Sequence, residues 1–210
     1  MKDKIQNKKL KKSSKNWLQR QLNDPFVIKA RREGYRSRAA FKILEIQEKF
    51  NIVNKNSVVL DLGAAPGGWS QILSQIAKKV VAIDLLPMDP IPNVNFVLGD
   101  FTNDLNMKKL EELLPNGKAD VIVSDMAPNT CGIGKVDHLR IMGLIETVYD
   151  FCKYCLNPGG AMVAKVFRGG AEAELLVDMK KHFRKVSHFK PNSSRKESPE
   201  IYLIATDYRQ

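Results

Sequence analysis

The chain has 210 residues, 43% of them hydrophobic, and a formal net charge of +11. This composition supports a packed core and excludes a wholly disordered chain, while the length predicts one domain with at most an appended arm. No window reaches the ~18 uninterrupted apolar residues of a membrane-spanning helix, and no apolar stretch of a secretory signal follows the first lysines. Three cysteines are too few for a disulfide framework and fit a reducing compartment.

The excess of positive charge lies entirely in the first 42 residues, which carry 14 basic and 3 acidic side chains, a balance of +11; the remaining 168 residues carry 20 of each. Such a segment suits a polyanion, because each neutralised phosphate releases condensed counterions, although a solubilising tail would carry the same charge. The segment also contains three aromatic residues, Trp17, Phe26 and Tyr35. Stacking of their rings on bases would favour a nucleic acid as the partner. Alternatively, these rings dock the segment on the body of the protein. Charge alone does not separate RNA from DNA or from an anionic membrane surface.

The predicted elements begin with a short helix from Asn16 to about Gln21, which breaks at residues 23–25. Ser37 is the expected N-cap of a helix over residues 38–50, where apolar residues recur at steps of three and four. Buried apolar runs then alternate with helical patterns. Strands are predicted at 57–62, 79–84, 94–98, 120–124, 161–167, 185–189 and 200–206, and helices at 69–78, 105–114, 138–156 and 172–182, with a turn at 157–160.

This alternation predicts an α/β fold, with a parallel sheet covered by helices on both faces. The last two strands are joined by a loop with two prolines and no helical pattern, so they are expected to form an antiparallel hairpin at one edge. Cys152 and Cys155 form an isolated C-x-x-C within a helical pattern and are expected to pack in the core. No spacing typical of a zinc or haem site is present.

A glycine-rich turn follows the first strand, with the sequence DLGAAPGGW from Asp61 to Trp69. Its small residues let the backbone approach a ligand, and Gly67 and Gly68 permit positive φ. The pattern differs from the dinucleotide motif G-x-G-x-x-G, which favours a small nucleoside over a pyrophosphate. Asp84 ends the second strand, where it suits ribose hydroxyls, and Asp100 follows the third strand, where it suits an adenine amino group. Alternatively, the glycines serve only packing and the acids cap helices.

A second group of polar residues combines two lysines with two acids. Lys165 lies within the apolar fifth strand, where an ammonium needs an anionic partner, and Asp125 at the end of the fourth strand is the obvious one. Glu200 begins the last strand and Lys42 lies on the predicted helix at 38–50. Two neighbouring lysines lower each other's pKa, which would let one act as a base. Alternatively, Lys165 is an edge-strand residue whose ammonium reaches solvent.

Several segments between Ser37 and Thr206 resemble the bacterial FtsJ family, also called RrmJ or RlmE, of large-subunit ribosomal RNA 2′-O-methyltransferases. These segments are SRAAFKILEI, DLGAAPGGWSQ, DLLPMDPI, GDF, SDMAPN, LNPGG, AKVFRG and SRKESPEIYLIAT. The resemblance implies a Rossmann-like S-adenosylmethionine-dependent methyltransferase fold with a seven-stranded, mostly parallel sheet. It also implies 2′-O-methylation of a uridine ribose in 23S ribosomal RNA, in the ribosome or its 50S subunit.

The resemblance assigns roles to numbered residues. The catalytic set implied is Lys42, Asp125, Lys165 and Glu200, and the donor contacts implied are Gly63, Gly67, Trp69, Asp84, Asp100 and Asp125, with no metal. Residues 1–35 would form a basic RNA-binding arm, partly disordered, and residues 36–210 the catalytic domain. We also expect a monomer in the cytoplasm, or alternatively in the matrix of a mitochondrion or other organelle, and weaker RNA binding after deletion of residues 1–33.

Other functions remain open at this point. A 2′-O-methyltransferase acting on transfer RNA or another RNA would share the same motifs, but the chain has no extra segment long enough for the site of an mRNA cap base. A non-catalytic RNA-binding ribosome-assembly factor would have no use for the two lysines and two acids. A small-molecule methyltransferase would have no use for the basic segment.

Overall fold

The computed structural model describes residues 19, 21–127, 134–167 and 173–210. Its strands are β1 (Val58–Leu62), β2 (Lys79–Asp84), β3 (Val94–Leu98), β4 (Ala119–Ser124), β5 (Leu156–Phe167), β6 (Phe183–Phe189) and β7 (Glu200–Tyr208). Its α-helices of eight or more residues, within the described ranges, are α1 (Pro25–Arg32), α2 (Ala39–Phe50), α3 (Gly68–Ile76), α4 (Asp104–Leu113), α5 (Gly134–Cys155) and α6 (Ala173–His182).

The seven strands form one sheet in the order β3-β2-β1-β4-β5-β7-β6. The first five strands in that order are parallel, whereas β7 is antiparallel to both β5 and β6. The predicted mostly parallel sheet and the antiparallel pair at its edge are therefore confirmed. The strand order reverses between β1 and β4, and in open α/β sheets ligands bind beyond the carboxyl ends of the strands at such a reversal.

Helices cover both faces of the sheet, as predicted. Alternate residues of β1 point to opposite faces: Leu60 joins one core cluster with α4, α5 and α6, and Val59 joins the other with α2 and α3. Cys152 and Cys155 are fully buried in the first cluster, as the sequence predicts. Burial raises the pKa of both thiols.

The N-terminal segment departs from the sequence prediction. The predicted break at residues 23–25 is present, but a new helix, α1, begins directly after it. Asp24 caps this helix, because its carboxylate accepts a hydrogen bond from Phe26 N, and Pro25 takes the first helical position. Pro lacks an amide hydrogen and is favoured there, a signal that the prediction missed. Ser37 is not the N-cap of α2, which follows Arg38; its hydroxyl accepts a hydrogen bond from Ala39 N at 3.3 Å.

The predicted turn at 157–160 is also wrong, because β5 begins at Leu156 and runs through it. Leu156 pairs with Ala119, and the register then shifts before Val121 pairs with Ala161. Gly159, at φ 78°, permits this irregularity. Pro158 has no amide hydrogen to donate to a neighbouring strand. Because β7 pairs with β5 only from Met162 onward, Pro158 costs no hydrogen bond between β5 and β7.

Two of the three N-terminal aromatic residues dock on the body. The rings of Phe26 and Tyr35 lie 5.5 and 5.4 Å from the ring of Phe41 on α2. Trp17, Cys131 and all of the predicted helix from Asn16 except Gln19 and Gln21, which are helical, lie outside the described residues. Within the described ranges, no helix has the length and apolar character needed to cross a bilayer.

Candidate active site

The carboxyl ends of β4 and β5 bring Asp125 and Lys165 side by side. Ser124 pairs with Ala164 in this parallel pair, so the residues that follow them, Asp125 and Lys165, lie next to each other. Lys165 Nζ lies 3.0 Å from Asp125 Oδ1 and donates to its main-chain oxygen at 2.6 Å. Lys165 is 9% exposed on an interior strand, which excludes the alternative of an edge lysine reaching solvent.

Lys42 and Glu200 complete the cluster. Glu200 is the first residue of the antiparallel β7, which places it at the same end of the sheet as Asp125. Lys42 projects from α2, and its Nζ lies 2.7 Å from Glu200 Oε1 and 3.6 Å from Asp125 Oδ2. The structure therefore brings together all four residues that the resemblance implies.

The electrostatics of the cluster favour an ionised Asp125. Burial alone would raise its pKa, but the nearby ammonium groups of Lys165 and Lys42 and a hydrogen bond from Tyr202 lower it below the ordinary value. The cluster therefore combines two ammonium groups with two carboxylates, and the Asp125 carboxylate forms an ion pair with each of the two lysines. Such a balanced cluster can be buried without an uncompensated charge.

Two further residues of the cluster were missed. The Tyr202 hydroxyl donates to Asp125 Oδ1 at 2.6 Å and lies 3.3 Å from Glu200 Oε1, which also accepts from Ser194 Oγ at 3.0 Å. Burial and the two carboxylates raise the pKa of Tyr202 well above its ordinary value, so the hydroxyl remains a donor. Tyr202 faces Lys165 across the β5–β7 ladder, a relation that appears only once the strand pairing is known.

The glycine turn after β1 packs too closely for larger residues. Gly63 and Gly67 have φ of 77° and 99°, in the region that favours glycine. A Cβ on Gly63 would overlap the Met126 side chain. The expectation of positive φ at Gly68 is wrong, since Gly68 begins α3; its missing Cβ instead leaves room for Ser37 Oγ.

Asp84 and Asp100 lie at the ends of the neighbouring strands β2 and β3, as predicted. The Asp84 carboxylate accepts hydrogen bonds from Ala65 N and Leu86 N, both at 2.8 Å, and so fixes the glycine turn. Asp100 is exposed, and its carboxylate accepts from the backbone amide and hydroxyl of Thr102. Both acids have lone pairs left for a ligand, because a carboxylate can accept about four hydrogen bonds.

A cavity of about 90 Å³ joins the glycine turn to the charged cluster. It is lined by the turn backbone, by Trp69 and Ala39, and by the acids Asp61 and Asp125. Trp69 is both core and cavity wall: its ring lies 5.6 Å from that of Tyr202, and its Nε1 donates to Ala39 O at 2.9 Å. The volume of the cavity equals that of about three water molecules, so the cavity suits a short polar chain rather than a whole nucleoside.

Asp61 is a buried acid that the sequence prediction passed over. Its carboxylate accepts a hydrogen bond from Ser70 Oγ at 2.6 Å. Burial raises its pKa to about 7, and the charges of Asp125 and Asp84 add to that rise. The cavity therefore has an excess of acid and suits a cationic ligand. An aspartate inside the buried run VVLDL is the same kind of signal that identified Lys165.

A family model for FtsJ-like methyltransferases matches residues 35–208. The chain belongs to this FtsJ-like methyltransferase family. It is 53% identical to ribosomal RNA large subunit methyltransferase E of Acidiphilium cryptum, over 96% of this chain and 90% of the relative. A protein of the same name in Rickettsia bellii is 53% identical, over 94% of this chain and 90% of that protein.

The fold of the FtsJ-like chain agrees with a solved structure. A crystal structure described as a ribosomal RNA methyltransferase of Plasmodium falciparum superposes with a TM-score of 0.74 at 34% identity, covering 83% of this chain and 98% of that one. Family membership confirms the predicted family, the Rossmann-like fold and methyl transfer from S-adenosylmethionine.

The residues present fit that donor, which carries a sulfonium cation and an amino-acid end. Asp61 and Asp125 in the small cavity match its positive charges, and the backbone amides at the start of α3 match its carboxylate. The nucleoside would then lie along the strand ends towards Asp84 and Asp100. Among the described residues, no group of three or more His, Cys, Asp or Glu side chains is arranged to hold a metal ion.

Parts of two matching segments lie outside the described residues. These are Pro128 and Asn129 of SDMAPN, and Arg168 and Gly169 of AKVFRG. Both segments follow the strand ends that carry Asp125 and Lys165.

Proposed function

We propose that this FtsJ-like methyltransferase methylates the 2′-oxygen of a uridine ribose in 23S ribosomal RNA, in the ribosome or its 50S subunit. Relatives that are 52–53% identical over 94% or more of the chain are named for the large-subunit ribosomal RNA. The observation that carries the proposal is the contact of Lys42, Asp125, Lys165 and Glu200 beside the acidic cavity.

The protein positions two reactants and handles one proton. S-adenosylmethionine, when bound, supplies an activated methyl group on its sulfonium sulfur. A ribose hydroxyl is a weak nucleophile until its proton leaves. We assign Lys165 either to accept that proton as a neutral amine, after its own ammonium proton has passed to solvent, or to guide it electrostatically as an ammonium. Asp125 orients Lys165 through its carboxylate and its main-chain oxygen.

Lys42 and Glu200 are assigned to the ribose. Their side chains form a close ion pair, and each retains hydrogen-bonding capacity for a hydroxyl. Lys42 also faces Asp125, so it adjusts the charge around Lys165 as well as the position of the sugar. For the donor we assign Gly63, Gly67, Trp69, Asp84, Asp100 and Asp125.

Residues 1–35 act as a basic arm that contacts ribosomal RNA, and the chain acts as a monomer in the cytoplasm, where bacterial ribosomes are found. The charge balance of the first 42 residues supports the arm.

Mapping of ribose methylation by mass spectrometry tests the proposed substrate. Ribosomal and transfer RNA would be compared between cells with and without this chain. We expect one 2′-O-methyluridine of 23S ribosomal RNA to disappear without the chain and to return with it. Loss of a mark from transfer RNA would contradict the substrate, and unchanged marks in every RNA would favour a non-catalytic assembly factor.

A further inference from the structure

A second cavity, of about 380 Å³, borders the charged cluster. Lys42 and Glu200 line it, whereas Asp125 lines the small donor cavity, and the two cavities share no lining residue. The cluster thus contacts both spaces. The volume falls within the range of ~300–1,000 Å³ typical of small-molecule sites. On the proposed function, this second space is where the acceptor nucleotide lies.

Two arginines line this cavity and compete for one carboxylate. Asp24, which is 7% exposed, accepts a hydrogen bond from Arg195 Nε at 3.1 Å and another from Arg38 Nη1. Burial lowers the pKa of Arg38, Asp24 opposes this, and the charge of Arg195 adds to the lowering. The carboxylate of Glu200 also opposes the lowering of the Arg38 pKa, but Glu200 forms an ion pair with Lys42, so the two guanidinium groups have more positive charge than Asp24 balances. Glu197 also lines the cavity, but it is exposed and its charge is screened by solvent.

Arg195 has donor capacity that the described part of the chain does not use. Its Nη2 atom is buried and has no hydrogen-bond partner there, and the same is true of Arg38 Nε. A buried donor without a partner is costly, so such a group marks a place where a ligand or water completes the structure. The Arg195 side chain as a whole is 30% exposed and lines the cavity, so its guanidinium can donate to the oxygen atoms of a phosphate there.

The loop that carries Arg195 is fixed to the same helix as Lys42. Glu45 of α2 accepts hydrogen bonds from Asn192 N at 2.5 Å and Ser193 N at 2.8 Å, and Arg38 donates to Ser193 O. These contacts set the position of Arg195 relative to the cluster. A phosphate held by Arg195 would therefore have a defined position relative to Lys42.

The chemistry of the acceptor decides which phosphate this is. The 2′-oxygen is bonded to the ribose carbon next to the one that bears the 3′-phosphate, so that phosphate is close to the reacting atom. We propose that Arg195, assisted by Arg38, binds the phosphate on the 3′ side of the methylated ribose. The inference rests on the proposed function and adds a substrate-positioning site to it.

An Arg195→Ala variant tests the site, with Arg184→Ala as the matched control. Arg184 is exposed on the edge strand β6, so its loss removes the same charge away from the cavity. Methylation of ribosomal RNA, RNA affinity across salt concentrations, donor affinity and melting temperature are measured for each variant. For Arg195→Ala we expect kcat/KM to fall about 10- to 100-fold, because a hydrogen bond to a charged phosphate is lost. The log–log salt slope of RNA binding falls by about 0.7–0.9 for one lost phosphate contact.

The control and a conservative variant separate the outcomes. We expect Arg184→Ala to resemble wild type. Arg195→Lys should keep the salt slope, because its ammonium keeps the positive charge beside the phosphate, but it should lose kcat/KM, because an ammonium lacks the planar fork of donors that fixes the position of the phosphate. Donor affinity should be unchanged in all variants. If Arg195→Ala matches Arg184→Ala in kcat/KM and salt slope, the phosphate site is wrong. If wild type itself methylates no ribosomal RNA, the proposed function fails instead.

A measurement on the wild-type protein guards against a variant that fails to fold. Phenylglyoxal modifies accessible guanidinium groups, and peptide mass mapping reports which arginines react. We expect ribosomal RNA to protect Arg195 and to leave Arg184 reactive. Equal reactivity of Arg195 with and without RNA would overturn the site.

Discussion

At the scale of single residues, two buried acids of the site have opposite surroundings. Asp125 faces two ammonium groups and a tyrosine hydroxyl, which together lower its pKa despite burial. Asp61 has the Ser70 hydroxyl as its partner and two carboxylates nearby, so its pKa rises to about 7. Asp125 is thus ionised without a ligand, whereas a cation entering the cavity would favour the ionised form of Asp61.

Donor binding should therefore depend on pH near neutrality. Below pH 7 Asp61 is mostly protonated and neutral, and above pH 7 it is mostly a carboxylate that attracts a cation. We expect the affinity for S-adenosylmethionine to rise about tenfold between roughly pH 6 and 8, following the ionised fraction. Calorimetric titrations at several pH values measure this.

An Asp61→Asn variant is the control for this assignment. It keeps the shape of the side chain and its bond to Ser70 but removes the titration. Donor affinity should then be weak and nearly constant across the same pH range. A pH dependence that persists in Asp61→Asn would show that another group causes it.

At the scale of elements, the loop between β6 and β7 connects α2 to the charged cluster. Glu45 holds the backbone of this loop, and Ser194 within it holds Glu200. The position of α2 therefore determines, through this loop, where the side chains of Glu200 and Arg195 lie. Hydrogen bonds rather than regular secondary structure hold this loop in place.

Replacing Glu45 by Ala should loosen this connection. The variant leaves two backbone amides without their carboxylate, which costs about 1–3 kcal/mol of unfolding free energy. We expect a lower melting temperature and a lower kcat, with little change in donor affinity. Glu48→Ala, on the exposed side of the same helix, should resemble wild type. Equal kcat values for the two variants would contradict a positioning role for the loop.

The sequence predicted all seven strands and helices α2 to α6, but it missed α1 and the features that depend on partners. Every strand from β1 to β7 was predicted, because apolar runs and turn residues are local signals. The start of β5 was missed because it is set by pairing of Leu156 with Ala119. Lys165 and Asp61 are buried charges that can be read from a strand pattern. Tyr202 and Ser194 join the site through register and loop geometry, which the sequence does not show.

At the scale of the whole molecule, the excess charge is divided between parts with different roles. Residues 1–18 carry seven lysines and one aspartate. From Asp24 onward the basic segment is part of the body: Asp24 binds Arg38 and Arg195, and Phe26 packs on Phe41. Deletion of residues 1–33 would therefore remove structural contacts along with charge.

A shorter deletion, of residues 1–18, isolates the contribution of the lysines. We expect RNA binding to weaken and its log–log salt slope to flatten by about 0.7–0.9 for each lost phosphate contact. Donor affinity and melting temperature should stay close to those of the full chain. Filter-binding titrations at several salt concentrations measure the slope, and an unchanged slope would show that this segment does not contact RNA.

We propose that two lysines and two acids around one point activate a ribose hydroxyl next to a bound donor. The most direct test compares methyl transfer to ribosomal RNA and donor binding in Lys165→Ala, with melting temperature as the check on folding. We expect transfer to fall by at least about 100-fold, the usual minimum for loss of a group that moves a proton, while S-adenosylmethionine still binds. Transfer near the wild-type rate in this variant would contradict the claim.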